Sequence, residues 1–143
     1  MAVERMDNVS IVVSDLDAAV AFFEAIGLAA GQRATVSGTW VDDVLGLDGV
    51  ESQIVVLETP DGAGRIELAH YVTPPAEPVP APAPNTLGLT RVMFAVDDID
   101  ATLERLAPLG GTPLRTVARY ENAYRLCYLR GPEGIIVALA QEL

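Results

Sequence analysis

With 143 residues, half of them hydrophobic, the chain fits one domain able to bury about two-thirds of its unfolded surface, and no apolar run approaches the ~20 residues of a membrane span. The net charge is −11, with acidic residues spread along the sequence and no Lys/Arg cluster, so long-range repulsion opposes binding to a phosphate backbone and nucleic acid is not an expected partner. The single Cys127 excludes an intrachain disulfide, and no CxxC or Cys/His cluster suggests structural zinc.

The opening MAVERMDNVSIVV carries acidic residues where a secretory signal needs a basic and then an apolar stretch, so cytoplasm is the expected compartment. From Asn8 the chain alternates apolar residues up to Asp15 and Asp17, which can cap a following helix. That helix presents Leu16, Val20, Phe23 and Ile26 on one stripe and stops at Gly27. Strands are predicted over 31–37, 51–59 and 64–71, with Pro60-Asp61-Gly62 as the turn before the last. Between the first two of these strands lies GTWVDDVLGLDG, in which Trp40, Val44 and Leu47 have helical spacing and could form a short lid.

Thr73 to Asn85 holds six prolines, which forbid helix and deny strand pairing, leaving an extended connector. Beyond it the pattern returns: Asn8–Leu28 and Arg91–Gly110 align without a gap, Arg91 falling 83 positions after Asn8. The second strand ends at Asp98 and Asp100, and its helix presents Ile99, Leu103, Leu106 and Leu109 before Gly110. Three more strands are expected over 112–120, 123–130 and 135–141, with Pro132-Glu133-Gly134 as a turn. The reading is one α+β domain, residues 1–143, of two β-α-β-β-β modules, 5–72 and 88–143, joined by a linker over 73–87.

The phrases VSDLDAAVAFF and VDDIDATLERL, with GPEGIIVALAQ near the end, resemble the vicinal oxygen chelate superfamily, which includes glyoxalases, bleomycin-resistance proteins and extradiol dioxygenases. The resemblance implies a cupped, barrel-like mixed sheet with helices outside, and often a homodimer. In metal-using relatives one residue on the first and last strand of each module holds a divalent ion. Those positions here are Asn8, Glu67, Arg91 and Ala138. Arg is cationic and has no lone pair to donate, Ala offers no donor, and an amide with one carboxylate makes two ligands at most, so no metal and no other cofactor is expected.

By strand parity Asn8, Glu67, Tyr71, Arg91 and Met93 share the cup face, and His70 falls on the opposite one. An Arg91–Glu67 ion pair is expected where the metal would sit. It either plugs the cavity or acts: Arg91 facing a carbonyl or anionic oxygen of a ligand, Glu67 accepting a proton. Tyr124 and Tyr128 are ligand contacts or members of a half-buried aromatic strand. Trp40 is a lid or a satellite core residue. Cys127 reads as a small buried hydrophobe and His70 as a satisfied core or edge residue. The leading reading is a metal-independent binder of a small anionic or carbonyl-containing molecule. The alternative is a glyoxalase-like lyase or isomerase with Glu67 as base and Arg91 as electrophile, and a purely structural module comes third.

Overall fold

Alternation and capping decide where the first elements begin. The computed structural model describes residues 2–143. In β1 (Val9–Val12) Ile11 is buried while Ser10 and Val12 are exposed, the period-2 pattern of a half-covered strand. The Asp15 carboxylate accepts from the Ala18 amide at 3.0 Å and starts α1 (Leu16–Ile26). Gly27, at φ 125°, closes that helix and donates its N–H to the Glu24 carbonyl. The buried face of α1 is wider than the expected stripe, taking in Ala19 and Phe22, while Val20 is only half-buried. Phe22 and Phe23 meet edge to face, with centroids 5.3 Å apart.

Only the second part of the strand expected over 31–37 forms, as β3 (Ala34–Ser37), and a short β2 (Ala29–Ala30) lies just ahead of the expected range. Both pair with β4 (Glu51–Glu58), and the break falls at Gly31, whose N–H donates to the Val56 carbonyl at 2.8 Å. A Cβ on Gly31 would stand 3.2 Å from that oxygen, so the close approach suits glycine. The inserted segment forms α2 (Thr39–Leu45), and β5 (Arg65–Thr73) completes the sheet in the order β1-β5-β4-β2, with β3 also on β4. β1 runs parallel to β5 and the other pairs are antiparallel.

The second half repeats the plan. β6 (Arg91–Ala95) leads to α3 (Ile99–Leu106), where Asp98 accepts from the Ala101 amide at 3.0 Å. Leu109 does not join the apolar stripe: it ends a 3-10 turn that contains Pro108, and it is 43% exposed. The helix instead buries Ile99, Thr102 and Leu106, with the Thr102 hydroxyl donating to the Asp98 carbonyl at 2.8 Å. The strand expected over 112–120 divides, into β7 (Thr112–Pro113) and β8 (Ala118–Tyr120), with the Leu114 N–H donating to the Tyr128 carbonyl at 2.8 Å just past β7. β9 (Tyr124–Arg130) and β10 (Ile136–Glu142) complete a sheet in the order β6-β10-β9-β7, with β8 on β9 and β6 parallel to β10.

The fold is α+β: two curved five-stranded mixed sheets and three α-helices among the described residues. The chain divides into two compact units, the first ending at Pro78 and the second running from Val79 to Leu143. In the second, the Arg130 guanidinium donates to the carbonyls of Pro82 and Gly134 and so ties proline-rich backbone to β9. No helix among the described residues is long and apolar enough to cross a membrane.

Candidate functional site

In the first unit the register sets the chemistry of one sheet face. Ser10 stands beside Glu67, Val12 beside Ala69, and across the antiparallel pair Ile54 faces Ala69 and Ser52 faces Tyr71. Above this face lies α2, and between helix and sheet is a cavity of about 320 Å³. Its floor is Ser10, Glu67, Ala69, Tyr71, Ser52 and Ile54, with Val36 at the side. Trp40, Val41, Val44 and Leu45 of α2 form the wall. Glu67 is half-buried and is the one carboxylate among the described lining residues. A second pocket of about 540 Å³ adjoins at Tyr71 and is lined by Val12, Leu47, Pro74, Pro75, Ala76 and Glu77.

Asp42 fixes the position of α2. Its carboxylate accepts from the backbone amides of Gly49 and Val50 at 3.0 and 2.8 Å, tying the helix to the chain that enters β4. Trp40 is therefore a cavity-wall residue that is still 63% exposed, neither a closed lid nor a core side chain. His70 lies on the face opposite Glu67, with Nδ1 3.2 Å from the Val13 carbonyl oxygen. Asn8 precedes β1, is exposed, and donates its amide N–H to Asp7 at 3.1 Å. That hydrogen bond is the main reason the Asp7 carboxyl lies below its usual range; desolvation opposes it, and the charge of Arg5, a smaller effect than the desolvation, acts in the same direction as the bond.

In the second unit Arg91, Met93, Tyr128 and Tyr124 occur on one face of the sheet. Met93 pairs with Ala138, which pairs in turn with Tyr128. Arg91 lies across β10 from Tyr128 on a diagonal, and its guanidinium carbon stands 5.3 Å from that ring's centroid. Ala138 projects only a methyl group into the intervening row, which leaves the guanidinium room to cross. Arg91 is exposed, as are Met93 and Tyr124, whereas Tyr128 is half-buried. The exposure of Arg91 removes the desolvation that a strong buried ion pair requires. On the other face Cys127 is buried, and burial pushes its thiol above the ordinary range.

Sequence parity found Glu67 and Tyr71, and helical spacing in the insertion found Val44. It did not single out Ser52, whose hydroxyl donates to the His70 carbonyl at 3.2 Å and which is 2% exposed. The available signal was a small polar residue inside the otherwise apolar alternation of β4.

Two consecutive β-α-β-β-β units, each a curved sheet with polar side chains on one face, define the class of fold. The profile of the Glyoxalase/Bleomycin resistance protein/Dioxygenase superfamily matches residues 5–139, and the chain belongs to that family. A glyoxalase family protein from Bacillus cereus is 49% identical over 100% of this chain and 97% of its own, with a TM-score of 0.96. A glyoxylase/bleomycin resistance protein/dioxygenase domain from Frankia shares 18% identity over 99% and 100% of the two chains, TM-score 0.68. TnmS3, an antibiotic binding protein from Streptomyces, shares 20% over 100% and 99%, TM-score 0.62. The last two likenesses concern the fold alone. No curated protein matches the chain.

The divalent ion that metal-using relatives carry does not fit these residues. Of the four positions, Glu67 supplies a carboxylate and Asn8 an amide already engaged with Asp7, while Arg91 is cationic and Ala138 is hydrocarbon. Among the described residues no group of three or more His, Cys, Asp or Glu side chains is placed to hold a metal.

Proposed function

We propose that this protein binds a small molecule without a divalent metal, enclosing its apolar body between α2 and the first unit's sheet. The observation that carries this reading is the cavity of about 320 Å³, a ligand-sized space of predominantly apolar lining with Glu67 and two serine hydroxyls as polar anchors. Glu67 accepts a hydrogen bond from an N–H or O–H of the ligand. On the second unit's sheet face, the exposed Arg91 guanidinium over Tyr128 supports recognition of a carbonyl or carboxylate oxygen. Binding is favoured over a lyase or isomerase reaction because the described residues lining the Glu67 cavity offer as electrophile the neutral hydroxyls of Ser10, Ser52 and Tyr71 and no cation. β1 and β6 each end their sheet, and unpaired strand edges support a homodimer.

The test is a thermal-shift screen of chelator-treated protein against small carbonyl compounds, carboxylates, alcohols and amines, with emission from Trp40 as a second readout. At least one class should raise the melting temperature and perturb Trp40, with Glu67→Gln weakening donors and Arg91→Met weakening carboxylates. No shift with any class, or a shift that appears only when a divalent cation is added, would overturn the reading.

A further inference from the structure

The two pockets of the first unit share a wall and a charge pattern. Tyr71 borders both. Ser10 lines the cavity under α2 and Val12, two residues along the same face of β1, lines the other. Leu45 and Leu47 make the corresponding step at the end of α2. Each pocket contains one carboxylate, Glu67 in the first and Glu77 in the second, and neither has a Lys or Arg in its lining. Between Glu67 and Tyr71 on β5 stands Ala69, paired with Val12 on one side and Ile54 on the other, and the second pocket adds Leu47, Pro74 and Pro75, so that apolar side chains outnumber the hydroxyls of Ser10, Ser52 and Tyr71.

We infer that the two pockets form one groove, and that its ligand is an elongated molecule with an apolar middle and an N–H or ammonium donor at each end. Glu67 takes one end and Glu77 the other. Carboxylates at both ends disfavour an anion in this groove, and the spaces of about 320 and 540 Å³ together exceed what a three- or four-carbon metabolite fills. A second copy of this chain suits the groove poorly. With nine basic residues against twenty acidic ones, it has few cations to offer two carboxylates. The inference rests on the reading of the first cavity as a ligand site and adds the length and polarity of what enters it.

The experiment uses α,ω-diamines from 1,4-diaminobutane to 1,12-diaminododecane, with the monoamine of each length as control, titrated at low salt while Trp40 emission is followed. The diamine series should show a length optimum at which binding is about ten-fold tighter than for the matching monoamine. Glu77→Gln should reduce that advantage to about two-fold or less, because the isosteric amide removes the distal charge. Val12→Phe and Ala76→Phe, which each narrow the second pocket, should abolish the length optimum while the melting temperature reports an intact fold. Equal affinity of diamine and monoamine at every length, or an advantage that survives Glu77→Gln, overturns the inference. So does failure of every amine to bind, and in that case the broader reading still stands if a neutral or carbonyl compound shifts the melting temperature.

Discussion

Arg91 shows how one side chain can occupy a ligand position and reverse its chemistry. Its charge lies over the Tyr128 ring and is open to water, where a cation–π contact contributes about 0.5–1 kcal/mol. Arg91→Met should therefore change stability by about 1 kcal/mol or less in a urea melt, and a loss of several kcal/mol would mean the guanidinium compensates a buried charge. Cys127 makes the opposite point. Burial raises its thiol pKa in the folded state, so the group favours folding fully below the unfolded pKa and loses that contribution as pH rises toward the folded value. Alkylation by iodoacetamide at mildly alkaline pH should then proceed only as fast as the second unit opens, and rapid labelling of native protein would contradict this. Parity along the strands was enough to put Glu67, Tyr71 and Arg91 on their faces and to turn His70 away. Exposure was not legible, because it depends on what covers each face, and the Tyr128 partner of Arg91 sits two strands away in space and 37 positions away in sequence (128 − 91).

At the scale of elements, caps and repeats were legible and the breaks were not. Asp15 and Asp98 stand where an acidic residue precedes an apolar stripe, and both cap their helices. Replacing either with Ala should cost about 1 kcal/mol, seen as a lower urea midpoint with unchanged slope. The breaks at Gly31 and Pro113 arise from pairing with a particular stretch of β4 or β9, a long-range fact that local alternation does not contain. α2 was anticipated as a short helix. Asp42, which positions it, was not, since an Asp within a helical pattern ordinarily faces water. Asp42→Ala removes the acceptor of two backbone amides and should cost about 1–3 kcal/mol. It should also weaken ligand binding and speed hydrogen exchange at residues 39–50 selectively, whereas a uniform increase across both sheets would argue against a local role.

At the scale of the whole molecule the repeat was readable from an offset of 83 positions (Arg91 against Asn8), because each module needs the same capped helix over the same kind of sheet. The proposed homodimer should appear in light scattering as twice the chain mass of 15.1 kDa at micromolar concentration, and a monomer mass throughout would reject it. The second unit's sheet also limits what the chain can become by single mutational steps. With the Arg91 guanidinium reaching over Tyr128 past the methyl group of Ala138, a carboxylate introduced at 138 would meet a fixed cation before any free ion arrived. Ala138→Glu alone would form a salt bridge, and Arg91→His alone would lack a fellow donor on β10. A descendant that recruits a transition metal here must change both positions, because neither single change supplies two donors on these adjacent strands.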